Sequence, residues 1–195
     1  VGRTVPDPTR TDNPPVGAPT YLNTVTHWWD GSQLYGSDQA KQNLVRAHVD
    51  GKLTLVDNAG KLKLVDGRLP RDKDGFEITG VNANWWLGLS LFHQLFTVEH
   101  NAICDRLKAE YPQWEDDQLF QTARLVNAAL ITKIHDLEWT TAVLANKPVQ
   151  LGLKMSWWGL LGPRFVKTFG RVLPGLDAAT GIPGSATDHH GVPFV

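Results

Sequence analysis

Hydrophobic and polar positions recur with different periods along this 195-residue chain, and each change of period marks an element. Residues 1–25 hold five of the twelve prolines and carry no apolar periodicity, which predicts an extended arm over a surface and no packed core. From Ser37 or Asp38 as a candidate N-cap, Leu44, Val45 and Val49 follow at helical spacing, predicting a short amphipathic helix that ends at Asp50-Gly51. Between 52 and 78 the period drops to two: KLTLV, KLKLV and FEI alternate around DNAG, VDG and DKDG turns, the pattern of small antiparallel β-hairpins.

The core is expected further on. In residues 87–111, Phe92, Phe96, Ile103 and Leu107 fall on one helical face with Leu91, Leu95 and Val98 beside them, which predicts a central helix. A second helix is predicted from about 115 to 146. Its acidic first turn suits the positive helix end, Leu119, Ala123, Val126, Leu130, Ile134 and Leu137 make its buried stripe, and Lys147-Pro148 stops it. The Gly- and Pro-rich segment from Met155 to Val195 predicts no element. The fold class is therefore mainly α with small β-hairpins, an arm at 1–25 preceding one domain at 26–195.

Composition excludes several function classes. Lys+Arg 19 against Asp+Glu 20 gives a net charge of -1 and no electrostatic case for nucleic acid, which needs a clustered basic surface. No apolar run approaches the roughly 18 residues of a membrane span, so no transmembrane segment is expected. The single cysteine, Cys104, has no internal disulfide partner and favours a reducing compartment. A cytoplasmic location is expected, with membrane-surface association left open. Eight tryptophans predict a large aromatic core, and a start at Val1 with the only methionine at Met155 reads as a processed or truncated polypeptide.

Four segments carry candidate chemistry. Thr26, Trp28, Asp30 and Ser32 are spaced by two, as oxygen ligands of a calcium loop often are, although a turn at Asp30-Gly31 with Ser32 as a cap explains the same residues. The run Asp72-Lys73-Asp74-Gly75 lacks the acidic first ligand and the bidentate Glu of an EF-hand and reads as a hairpin turn. Glu99-His100-Asn101, in an apolar setting, can be a metal ligand, an acid/base pair or a satisfied polar knot. With no HExxH or CxxC spacing the knot is favoured, and Cys104 reads as a small core residue. His135 and Thr140 can hydrogen-bond a ligand's carboxylate, but on an ideal helix five residues leave them about 140° apart, and a capped or solvated helix end explains them as well.

Taken together, these segments resemble the peroxidase–cyclooxygenase superfamily of animal-type haem peroxidases, most closely its fatty acid α-dioxygenase branch. THWWDGSQLYGSD is similar to the family's calcium loop, and the text from WWLGLSLFHQLFTVEHN to LFQTARLV is similar to its pair of haem-enclosing helices. IHDLEWT and MSWWGLLG are similar to stretches of the α-dioxygenase branch. The resemblance implies a partial animal haem peroxidase-like fold over 26–195, haem b in the complete protein, and one calcium ion held by Thr26, Trp28 through its carbonyl, Asp30 and Ser32. It also implies a fatty acid whose carboxylate meets His135 and Thr140, with molecular oxygen or a hydroperoxide as the other reactant.

In that branch a hydroperoxide activates the haem with help from a distal histidine, and a tyrosyl radical forms one helical turn before the proximal histidine. The radical takes a hydrogen next to the carboxylate, where oxygen adds to give a 2-hydroperoxy fatty acid. No Tyr-x-x-His occurs here: Tyr21, Tyr35 and Tyr111 have no histidine three residues on. No catalytic residue of that set is therefore assigned, and His189 and His190 in the Gly/Pro-rich tail are read as surface groups. The distal and proximal groups are expected in missing flanking parts of the same protein, leaving this chain incomplete and inactive alone. A haem peroxidase acting on small reductants is the alternative enzyme, and a calcium-stabilised scaffold without catalysis the alternative of another class.

Overall fold

The computed structural model describes residues 6–10, 19–22, 26, 28–47, 59–82 and 85–169. The strand expected from Lys52 and the histidines His189 and His190 lie outside the described residues. Two compact units divide the chain, residues 1–131 and 132–195.

In the first unit, α1 (Ser32–Tyr35) and α2 (Gln39–Val45) lead to the long helices α3 (Leu87–Glu110) and α4 (Asp116–Lys133), the last turn of α4 opening the second unit. The Asp38 carboxylate caps α2 by accepting from the Lys41 N–H at 2.8 Å, satisfying one of the donors that a helix start leaves open. The helix stops at Val45, because Arg46 is extended and its backbone pairs with Leu62. Where hairpins were expected, the described part of 59–78 forms isolated antiparallel bridges, Val65 with Arg68 and Arg71 with Glu77, and no strand. The DKDG segment is a turn: the Asp72 carboxylate accepts from the Asp74 and Phe76 N–H groups, both at 2.9 Å. In the arm, Pro6 bridges Tyr21, and Tyr21 and Leu22 stay exposed.

The buried face of α3 differs from the apolar one expected. His93, Phe96, Thr97, His100 and Cys104 point inward, while Leu91, Phe92, Leu95 and Val98 are exposed. Leu34, Tyr35, Leu119, Phe120 and Ala123 are buried as well, with Tyr35, His100 and Phe120 in edge-to-face contact at centroid distances of 5.3 to 5.8 Å. Arg46 is buried against this cluster, its guanidinium 4.1 Å above the Phe120 ring and paired with Asp116 and Asp117 in the first turn of α4. Gly60 approaches the same place with φ 76°, and a Cβ there would meet the Phe120 backbone nitrogen at 2.4 Å. The expected tryptophan core is absent: Trp28, Trp29, Trp85, Trp86 and Trp139 are exposed, and Trp114, Trp157 and Trp158 are half-buried.

The second predicted helix does not run unbroken to Asn146. After α4 the backbone widens into a π-helical turn, Ile134–Trp139, and returns to α form in α5 (Thr140–Val143). The Thr141 hydroxyl donates to the Leu137 carbonyl at 2.5 Å and lies 3.1 Å from that of Glu138, engaging carbonyls of the widened turn. Lys147-Pro148 does more than stop a helix. Asn146 accepts from the Val149 N–H, and proline in the first turn opens α6 (Lys147–Trp158), followed by α7 (Gly162–Phe169).

Candidate functional site

The π turn changes the geometry of the two candidate carboxylate ligands. The Thr140 N–H donates to the His135 carbonyl, an i→i+5 bond that stacks residue 140 nearly above residue 135, where an α-helix would leave them far apart around the axis. Thr140 Oγ1 is buried and has no hydrogen-bond partner among the described residues. The His135 ring stacks on Trp139 at 4.9 Å, and its Nδ1 lies 3.3 Å from Asp136 Oδ1. The other oxygen of Asp136 accepts from the Trp157 indole N–H at 3.4 Å, so α6 contributes to the same cluster. Neither Asp136 nor Trp157 was singled out in the sequence. The signal for α6 was present in Asn146-Lys147-Pro148, a cap followed by proline.

At the loop before α1, the four candidate calcium ligands occur as two locally bonded pairs. The Thr26 hydroxyl accepts from the Trp28 N–H at 3.1 Å, and the Asp30 carboxylate accepts from the Ser32 N–H at 2.9 Å. Gly31 between them has φ 67°, and a Cβ there would meet the Tyr35 ring at 2.7 Å, so the bend needs glycine. Arg124 on α4 donates from Nε to the Asp30 carbonyl at 3.3 Å and lies 5.3 Å from the Tyr35 ring centroid. Asp30 and Arg124 border an open cleft of about 540 Å³ with Trp28, Trp29 and Leu125, which does not include His135 or Thr140. Among the described residues no group of three or more His, Cys, Asp or Glu could hold a metal ion.

His100 takes the polar-knot role. Asn127 Nδ2 donates to Tyr35 Oη at 2.8 Å and to the Phe96 carbonyl at 3.0 Å, so the Tyr35 hydroxyl donates onward to His100 Nδ1 at 2.9 Å. Nε2 then carries the proton and donates to the Gly60 carbonyl at 3.0 Å, with Cys104 Sγ 3.4 Å away. Burial lowers the His100 pKa to about 4 and pushes Tyr35 up, so both are neutral in the fold. Burial likewise pushes the Cys104 thiol up to about 12, which removes it as a nucleophile. Asn101 pairs through both side-chain atoms with the Leu62 backbone. His93, fully buried, accepts from Gln33 Nε2 at 2.9 Å, and burial lowers its pKa as well.

With this geometry in place, the kinship of the chain is direct. The family model described as animal haem peroxidase matches residues 2–181, and the chain belongs to that family. Within it the similarity points to one branch. Alpha-dioxygenase 1 of Capsicum annuum is 42% identical over 175 residues, covering 89% of this chain and 26% of the relative. The crystal structure of the Arabidopsis thaliana fatty acid alpha-dioxygenase matches with a TM-score of 0.72 at 35% identity, covering 98% of this chain and 28% of that one. The Oryza sativa fatty acid alpha-dioxygenase with palmitic acid gives 0.70 at 35% identity, over 87% and 26%. The mainly helical fold is thus that of the α-dioxygenases, and the chain spans about a quarter of their length.

Proposed function

We propose that this chain is the segment of a haem-dependent fatty acid α-dioxygenase that holds the substrate's carboxylate. In the reaction a C–H bond beside the carboxylate breaks, O2 adds to that carbon, and the hydrogen returns on the outer oxygen, so acid plus O2 gives a 2-hydroperoxy acid. The His135 imidazole and the Thr140 hydroxyl each donate to a carboxylate oxygen, which fixes the neighbouring carbon in place. The observation that carries this reading is the buried, unpartnered Thr140 hydroxyl one π turn from His135. Such a group costs about 1–3 kcal/mol unless something satisfies it.

Haem b, when bound, supplies the oxidation that hydrogen removal requires. His100 cannot serve it as an axial ligand, since both of its nitrogens are committed to Tyr35 and Gly60. Tyr-x-x-His is absent from the chain, and the reading therefore assigns iron ligation and radical chemistry to residues beyond it. The loop at Thr26, Trp28, Asp30 and Ser32 suits one calcium ion through its all-oxygen donor set.

Palmitate titration of the purified chain tests the reading. The acid is expected to bind and its methyl ester to fail, with H135Q and T140V each weakening the acid about tenfold, the worth of one charge-assisted hydrogen bond. Equal affinity for acid and ester would remove the carboxylate site. Supplied with haem, the chain alone is expected to consume no oxygen with palmitate, and robust turnover would overturn the assignment of the radical chemistry elsewhere.

A further inference from the structure

Adjacent residues on an α-helix project about 100° apart and do not face one another. In the π turn His135 and Asp136 nevertheless meet, Nδ1 to Oδ1 at 3.3 Å. The carboxylate that makes this contact is itself held from a second element, because its other oxygen takes the Trp157 indole N–H at 3.4 Å across 21 residues of sequence. The imidazole is covered on one face by Trp139, the rings 4.9 Å apart and inclined by 26°. Rotation of the ring is thus limited by Trp139, and the identity of the nitrogen facing the protein is set by Asp136.

We infer that Asp136, anchored by Trp157, is a positioning residue that fixes the His135 imidazole for a carboxylate ligand. The inference rests on the reading of His135 and Thr140 as the partners of the fatty acid head group. An ionised carboxylate only accepts hydrogen bonds, so Nδ1 keeps its proton towards Asp136, and the ring meets the acid as imidazolium, with a proton on Nε2 that is donated to the ligand. The anionic side chain has a second consequence: it stands close to where a ligand's negative charge would sit, so the imidazole separates two carboxylates. An unanchored Asp136 could swing towards the ligand and repel it, and the Trp157 bond holds it on the far side of the ring. In sequence, the clamp and the ligand residues lie in one six-residue stretch, and its anchor lies in a helix that begins at Lys147.

The test has two independent readouts. Nitrogen-15 NMR of the ligand-free chain in alkaline buffer, with the imidazoles labelled, is expected to report His135 with its proton on Nδ1. D136A should give the usual tautomer mixture, W157F an intermediate pattern, and D136N, which keeps an acceptor oxygen, a partial return. Palmitate affinity should fall about tenfold in D136A and less in D136N, while the methyl ester fails to bind wild type and variants alike. An unchanged His135 tautomer and unchanged affinity in both Asp136 variants would overturn the positioning role. If instead palmitate binds wild type and H135Q alike, the carboxylate-site reading fails, whatever the tautomer shows. D136N is nearly isosteric with the native residue, so loss of the signal there cannot be ascribed to a misfolded helix when its melting temperature is unchanged.

Discussion

His100 shows how a single residue can make pH felt throughout the first unit. Its folded pKa of about 4 lies below the ordinary 6.5, because burial penalises the imidazolium and outweighs the Gly60 carbonyl that favours it, with the Arg46 charge adding to the lowering. As pH falls, the unfolded chain takes up the proton first, so stability is complete above about 6.5, declines between 6.5 and 4, and levels off below. At roughly 1.4 kcal/mol per unit the loss is about 3 kcal/mol, and His93, lowered by burial too, adds in the same direction. The urea midpoint is expected to drop over that window, whereas H100Q, weaker at neutral pH, should show a much flatter profile. A wild-type midpoint that stays constant from 6.5 to 4 would mean that the knot accepts a proton without opening. Asp30 separates two readings in the same manner. Asp30→Asn keeps an oxygen for the Ser32 N–H but removes the charge, so a mere turn would survive while a calcium ligand would not. The expected result is a calcium-dependent rise in the melting temperature of wild type that D30N lacks, and an unchanged calcium response in D30N would sink the loop assignment.

At the level of the element, the π turn is an α-helix with one residue too many, and this predicts an asymmetry. Removing Glu138, which is exposed, lets the turn close as α-helix and leaves four residues from imidazole to threonine, a spacing that still stacks them. Inserting one alanine after Glu138 adds a sixth residue and swings them to different sides. The deletion is expected to melt within a few degrees of wild type and keep palmitate affinity within about threefold, whereas the insertion loses at least about tenfold. Equal loss in both would show that the pair's stacking is irrelevant to binding. The same turn explains part of what could be read in the sequence. The start of α3 and the Asp38 cap were legible because periodicity and capping are local. The inward face of α3 was not, because His93, His100 and Cys104 are tolerated inside only through Gln33, Tyr35 and Gly60, partners 40 or more residues distant. His135 and Thr140 were legible as residue types from the resemblance, yet α-helical spacing set them apart until the backbone widened.

For the whole molecule, the apolar surface left outside is as informative as the core. Leu87, Leu91, Leu95 and Val98 follow one another at helical spacing along α3, each between 46% and 69% exposed, with Phe92 alongside and Trp85 and Trp86 just before the helix. Helical periodicity sets Leu91, Leu95 and Val98 beside an inward face of Phe92, Phe96, Ile103 and Leu107, and in the chain they face outward because the satisfied polar knot occupies the other side. Contiguous apolar stripes are uncommon on protein surfaces outside interaction sites, and the chain spans about a quarter of the length of its α-dioxygenase relatives. Its orientation can be tested without any partner. Replacing Leu91 or Leu95 by Glu in a core would bury an unpaired charge and unfold the protein, whereas on an exposed face such changes stay within about 0.5 kcal/mol. L91E and L95E are expected to melt within a few degrees of wild type while lowering the binding of an apolar dye and the light scattering of concentrated solutions. F96E, at the residue next to Leu95 but on the buried face and 6% exposed, is expected to abolish cooperative unfolding. If L91E and L95E behaved like F96E, the outward placement of the stripe would be wrong, and with it the argument that α3 turns its polar side to the core.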